Sequence, residues 1–232
     1  MCADRPTAKK LPQHRFTFLL VALVFLLIVA PLLQGTPLHG ALYAMGITAV
    51  LITGLVANRG QKWVFRTGLF VAIAAIPVCW AATFTGPNAL DLSEYLIITL
   101  FCGVTAAVIL IAVIRDYMAT AQAVIGAICV YLLIGLTWAM VYSTIEYIQD
   151  DAFKSPAYDR QATVGEDRPS FSDMVYFSFS TMTTLGYGDI TPRTELAKMA
   201  SVLQAIVGVF YMAVIVARLV SAMSMRKPDG GN

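Results

Sequence analysis

Six long apolar blocks constrain this chain more than any other feature. They cover residues 16–33, 40–57, 64–84, 92–114, about 119–142 and about 199–220. A helix needs about 20 apolar residues to cross the hydrocarbon core of a bilayer. Lipid offers no partner to backbone N–H and C=O groups, so a crossing segment must satisfy its own, as a helix does. Composition agrees: the chain is 58% hydrophobic and 13% charged, against about 25% charged in soluble domains. The expected fold class is all-α transmembrane with six membrane helices, surrounded by lipid. No basic patch with interleaved aromatics accompanies the net charge of +2, which argues against nucleic acid as a partner.

The first block follows a basic segment, as a signal peptide would. Its apolar core is longer than such a peptide needs and no small-x-small cleavage pattern follows, so it is read as a retained span. Cys79, Cys102 and Cys129 lie inside apolar blocks and Cys2 near the start, without metal-ligand or CxxC spacing. They read as small packing residues. His14 and His39 read as interfacial, and no nucleophile, base or metal constellation supports an enzyme. Glu94 and Glu146 fall at span ends, where solvated placement is the default. With six spans both termini share one side, and that side holds 11 of the 16 Lys and Arg residues. The positive-inside rule makes it cytoplasmic. Eleven of the 14 acids fall on the opposite face, which would concentrate cations within a Debye length of about 8 Å.

Residues 143–168 are polar and read as a solvated loop. The next stretch, SFSDMVYFSFSTM, is apolar and aromatic but too short to span. Ser170 and Asp173 have capping-box spacing, which predicts a half-length helix from about Phe171 to about Thr183. After it comes Thr184-Leu185-Gly186-Tyr187-Gly188, poorly suited to helix or strand and followed by a full span. Non-helical backbone at membrane depth survives only when buried in protein or lining water. Such a segment re-enters the membrane and returns. Gly186 and Gly188 accept positive φ, so permissive residues at alternate positions can turn successive carbonyls the same way. Leu185 and Tyr187 then point away from the carbonyl row, into surrounding protein. The Thr184 hydroxyl closes the stack, and a row of oxygens replaces the water shell of a monovalent cation.

TMTTLGYGD resembles the signature of the potassium channels of the pore-loop superfamily, whose filter reads Thr-Val-Gly-Tyr-Gly. The likeness covers roughly residues 120–225 and departs at Leu185, where valine is usual. It implies a potassium-selective channel, K⁺ at the filter as the only metal, no cofactor, and a homotetramer in the plasma membrane, since four chains complete one ring. By the same resemblance Asp189 supports the filter from behind, bonded to Tyr176, where tryptophan is common. Ser180 is a further support position. Gly208 falls 20 positions after Gly188, where the family often keeps a hinge glycine; close packing is the plainer reading. Met212, Val216 and Val220 share a face with it at i, i+4 and i+8 and are read as cavity or gate lining.

The resemblance also divides the chain: a cytoplasmic segment over 1–15, a four-helix membrane domain over 16–116, a pore domain over 117–222 and a cytoplasmic tail over 223–232. The six-span layout resembles voltage-gated channels, but the fourth block contains no Lys or Arg, and Arg115 lies beyond its end. Each charge moved through the field supplies about 2.3 kcal/mol per 100 mV, so weak voltage dependence or none is expected. The first four spans fit a static scaffold, a lipid-sensing element or a partner-binding element equally. The 12 residues after Val220 leave no room, as an expectation, for a cytoplasmic ligand-binding domain. Two alternatives stand beside the channel: a membrane subunit of a potassium uptake system, which generally carries four pore repeats where this chain has one GYG loop, and a non-conducting membrane scaffold.

Overall fold

Each apolar block becomes a helix, because only the helix closes its own hydrogen bonds where no solvent can. The structure is a computed structural model that describes residues 15–32, 39–57, 62–85, 91–116, 121–154 and 169–224. The helices are α1 (Arg15–Leu32), α2 (His39–Ala57), α3 (Lys62–Thr85), α4 (Asp91–Asp116), α5 (Ala121–Ile148), α6 (Phe171–Met182) and α7 (Glu195–Ser224). Two short strands, β1 (Phe153–Lys154) and β2 (Thr191–Pro192), pair antiparallel with Phe153 opposite Pro192. Pro77 sits inside α3, and that helix continues through it.

Stretches in α5 and α7, Gln122–Ile148 and Glu195–Ile215, are long and apolar enough to cross a membrane. Shorter apolar stretches occupy α1 to α4: Phe16–Ile28, Ala41–Val56, Gly68–Pro77 and Tyr95–Ile111. The protein is thus a mostly helical membrane protein with two long apolar helices flanking a short one. At 1.5 Å per residue the 12 residues of α6 reach about 18 Å, well short of the roughly 30 Å hydrocarbon core.

α5 is the hub. One face packs on α1 and α4, the other on α6 and α7. A continuous apolar core runs from Leu19, Leu23 and Ile47 through Ile98 and Ile109 to Leu133, Leu136 and Met140. A second cluster joins the end of α5 to the pore side: Tyr142, Phe153 and Phe177 meet edge to face at centroid distances of 5.0 to 5.4 Å. Cys102 and Cys129 are buried free thiols, in keeping with a packing role.

Two expectations are corrected here. The solvated loop does not begin at residue 143: α5 runs on to Ile148, and Ser143 is buried. Polar letters mark this last turn, but it packs under β1, so tertiary contact overrides local polarity. Glu146 is not solvated either. It is 4% exposed, and its carboxylate accepts the Phe153 N–H at 3.0 Å. Residues 155–168 of the expected loop, 1–14 at the N-terminus and 225–232 at the C-terminus lie outside the described residues.

Candidate ion-conducting site

The half-helix opens with a reciprocal cap. The Ser170 side chain accepts the Asp173 N–H, and the Asp173 carboxylate accepts the Ser170 N–H at 2.8 Å. These bonds satisfy donors that a helix start otherwise leaves open. The far end closes at Thr183, whose N–H donates to Phe179 O at 2.9 Å and whose hydroxyl donates to the same carbonyl at 2.7 Å, while the Thr184 N–H donates to Thr181 O at 3.1 Å. The expected range of 171 to about 183 therefore matches α6 with its cap. A helix C-terminus carries about half a negative charge, and here it faces directly into the loop Thr184–Gly188.

One acceptor holds two of the loop's N–H groups. The Ser180 carbonyl takes both the Leu185 N–H at 2.9 Å and the Gly186 N–H at 3.2 Å. Positive φ recurs at every second residue: Thr184 at 60°, Gly186 at 52° and Gly188 at 76°. The glycine signal was legible in the sequence. Thr184 was not, because β-branched residues avoid this region. The alternation of φ sign therefore extends two residues further toward α6 than the glycines alone indicate. All five loop residues are exposed, with Leu185 at 53% and Tyr187 at 70%. Within one chain, these two side chains do not enter surrounding protein as the sequence reading expected, since the chain alone supplies no wall there.

Behind the loop the Tyr176 hydroxyl donates to the Asp189 carboxylate at 2.8 Å. The structure thus brings these two predicted partners together across 13 positions. Asp189 also accepts the Ile190 N–H at 3.0 Å. Beyond it the chain is tied down by the β1–β2 pair, by the Arg193 N–H to Ala152 O at 2.7 Å, and by an exposed Arg193–Asp151 ion pair at 2.8 Å.

α7 passes under the half-helix. Gly208 is buried there, and a Cβ on it would stand 2.6 Å from Met182 Cγ and 2.7 Å from the Met182 carbonyl oxygen. α7 is continuous through this point, so close approach to α6 accounts for the glycine. Met212 is exposed on the same helix; the side chains of Val216 and Val220 lie outside the described residues. Three residues central to this region were not singled out in the sequence. Tyr142, Ser178 and Gln204 form a buried polar chain between α5, α6 and α7. The available signal was a glutamine in an apolar span, since amide side chains in such helices bond across to neighbours.

Residues 127–225 match the ion channel family. A curated relative, two-pore potassium channel 4 of Arabidopsis thaliana, is 34% identical over 65 residues, which is 28% of this chain and 23% of the relative. The chain therefore spans less than a quarter of that relative's length. No solved structure matches. The matched segment begins in α5 and ends just beyond α7, enclosing the capped half-helix and its loop. Over residues 127–225, therefore, this chain is similar to an ion channel domain.

Proposed function

We propose that the protein is a potassium-selective channel whose filter is the loop Thr184-Leu185-Gly186-Tyr187-Gly188. The observation that carries this is the recurrence of positive φ at Thr184, Gly186 and Gly188. Alternating the sign of φ turns successive peptide planes so that their carbonyls share one side. A file of such oxygens, with the Thr184 hydroxyl at its base, can replace the hydration shell of K⁺. The C-terminal end of α6 adds a favourable field for a partly hydrated cation beneath it. The Arabidopsis relative is named a potassium channel, which supports K⁺ as the ion.

One chain supplies one wall of such a file, so the working unit is a homotetramer. The exposure of Leu185, Tyr187 and a long apolar face of α7 supports it, because neighbouring copies would cover these surfaces. α1 to α4 precede the pore as a four-helix membrane domain. The termini lie in the cytoplasm of a plasma-membrane protein by the distribution of Lys and Arg. Tyr176, Asp189 and Ser180 brace the filter, Gly208 lets α7 pack closely against the end of α6, and Met212, Val216 and Val220 line the inner cavity. Opening depends weakly on voltage, because α4 carries a single basic residue, Arg115, next to its last position.

The test is reconstitution of the purified chain into liposomes loaded with KCl or NaCl. The expected result is K⁺ efflux far exceeding Na⁺ efflux. Equal fluxes of the two ions, or none, would overturn the reading.

A further inference from the structure

Polar side chains are rare in the apolar interior around α5 and α7, yet three of them meet behind the half-helix with no exposed surface at all: Tyr142, Ser178 and Gln204. The Tyr142 hydroxyl donates to Gln204 Oε1 at 2.6 Å. Gln204 Nε2 donates to Ser178 Oγ at 2.6 Å and to the Ser178 carbonyl at 3.0 Å. Ser178 Oγ donates in turn to the Gly135 carbonyl at 2.6 Å. Each of these hydrogens finds an acceptor within the chain. The reverse amide orientation of Gln204 would face its oxygen toward the Ser178 carbonyl, acceptor against acceptor. The arrangement is therefore directional, and it spans α5, α6 and α7.

Its position gives it leverage on the loop. Gln204 and Gly208 are four apart on α7, and Ser178 and Met182 are four apart on α6. The two helices thus meet at two successive turns, first through the amide and then through the Gly208–Met182 contact. Two residues after Ser178 comes Ser180, whose carbonyl holds the Leu185 and Gly186 N–H groups. A short helix is stiff over this distance, so whatever sets the height of Ser178 also sets the height of that acceptor. An apolar side chain at 204 would fill the same space without fixing a direction. A buried amide avoids a desolvation penalty only where its partners stand at the right distance.

We propose that Gln204 is a positioning residue for ion selectivity. It locks the half-helix to α7 and, through the Ser180 carbonyl, holds Leu185 and Gly186 in their conducting conformation. This rests on the channel reading above, and the experiment separates the two. Wild type, Gln204→Met, Tyr142→Phe and the double variant are reconstituted, and the K⁺/Na⁺ permeability ratio is read from bi-ionic reversal potentials. Assembly is read in parallel by size-exclusion chromatography in detergent.

The expected result is a roughly tenfold lower ratio in Gln204→Met, from leaving buried hydroxyls without their amide partner. Tyr142→Phe should fall in the same direction by less, and the double variant should match Gln204→Met, with assembly unchanged. If Gln204→Met does not reach the membrane, Tyr142→Phe decides, since it removes a single oxygen: a lower ratio supports the inference and a wild-type ratio overturns it. A wild type that selects K⁺ alongside a Gln204→Met protein that assembles less but keeps the ratio would overturn this inference alone. Additive effects in the double variant would do the same. A wild type that passes no K⁺ removes the channel reading and this inference with it.

Discussion

At Thr184 a β-branched side chain sits at φ 60°, a conformation that costs an L-residue roughly 1–2 kcal/mol. Gly186 and Gly188 occupy the same region without that penalty. The loop therefore places its strain at its one non-glycine residue of positive φ, Thr184, which also offers a hydroxyl. Substituting Gly186→Ala puts a Cβ into open space within the chain but forces an L-residue to φ 52°. The penalty of about 1–2 kcal/mol is repeated in every copy around a ring. Selective K⁺ flux should disappear while membrane delivery, read by surface labelling, stays at the wild-type level; selective currents from this variant would contradict the carbonyl-file account. Tyr176→Phe removes only the donor to Asp189. Sustained K⁺ current should then decay faster than in wild type, with little change in folded yield. A decay rate equal to wild type would show that the bond does not brace the loop.

The decisive pair of elements is α6 against α7. An 18 Å half-helix has no stable place of its own in a bilayer, and this one is held on three sides. Its start is capped, Phe179 fits against Gly135 of α5, and Met182 sits on Gly208 of α7. At Gly208 the nearest neighbours of an added methyl include the Met182 carbonyl oxygen, which cannot swing aside as a side chain can. Gly208→Ala should therefore push α6 and α7 apart and destabilise the fold by about 1–3 kcal/mol, seen as a lower thermal melting temperature in detergent. Altered opening at an unchanged melting temperature would instead identify Gly208 as a bending point and not a packing point. The limits of α6 were legible because capping chemistry is local. The last turn of α5 was not: residues 143–148 include Ser143, Thr144 and Glu146, and only the bond of Glu146 to Phe153 of β1 shows how such a turn stays buried and helical.

For the whole molecule, the surface of α7 bears on the proposed assembly. Leu196, Val202, Leu203, Ile206 and Phe210 are all about half exposed or more, alongside the exposed loop. Lipid can cover the outward part of such a face, but not a loop of polar backbone at membrane depth. The protein mass in detergent, measured by light scattering, should correspond to four chains of 25.1 kDa; a monomeric mass in an ion-conducting preparation would refute the ring. Activation by voltage steps should be shallow, since Arg115 is the only basic residue of α4 and each charge crossing the field contributes about 2.3 kcal/mol per 100 mV. A steep curve requiring several gating charges per chain would mean that basic residues elsewhere cross the field.

The sequence alone determined the helical blocks, the capped half-helix and the glycine pair of the loop, whereas the Tyr176–Asp189 pair was implied by the resemblance to the pore-loop channels. Each of these follows from residue chemistry acting over a short span or from a motif with its own spacing. Tertiary structure decided the rest: the positive φ of Thr184, the burial of Glu146, the contact that makes Gly208 a glycine, and the polar chain through Gln204. These depend on which helix faces lie against one another. Helix facing is set by side-chain packing between segments far apart in the chain, 62 positions for Tyr142 and Gln204 and 113 for Phe16 and Cys129, and no local pattern encodes it.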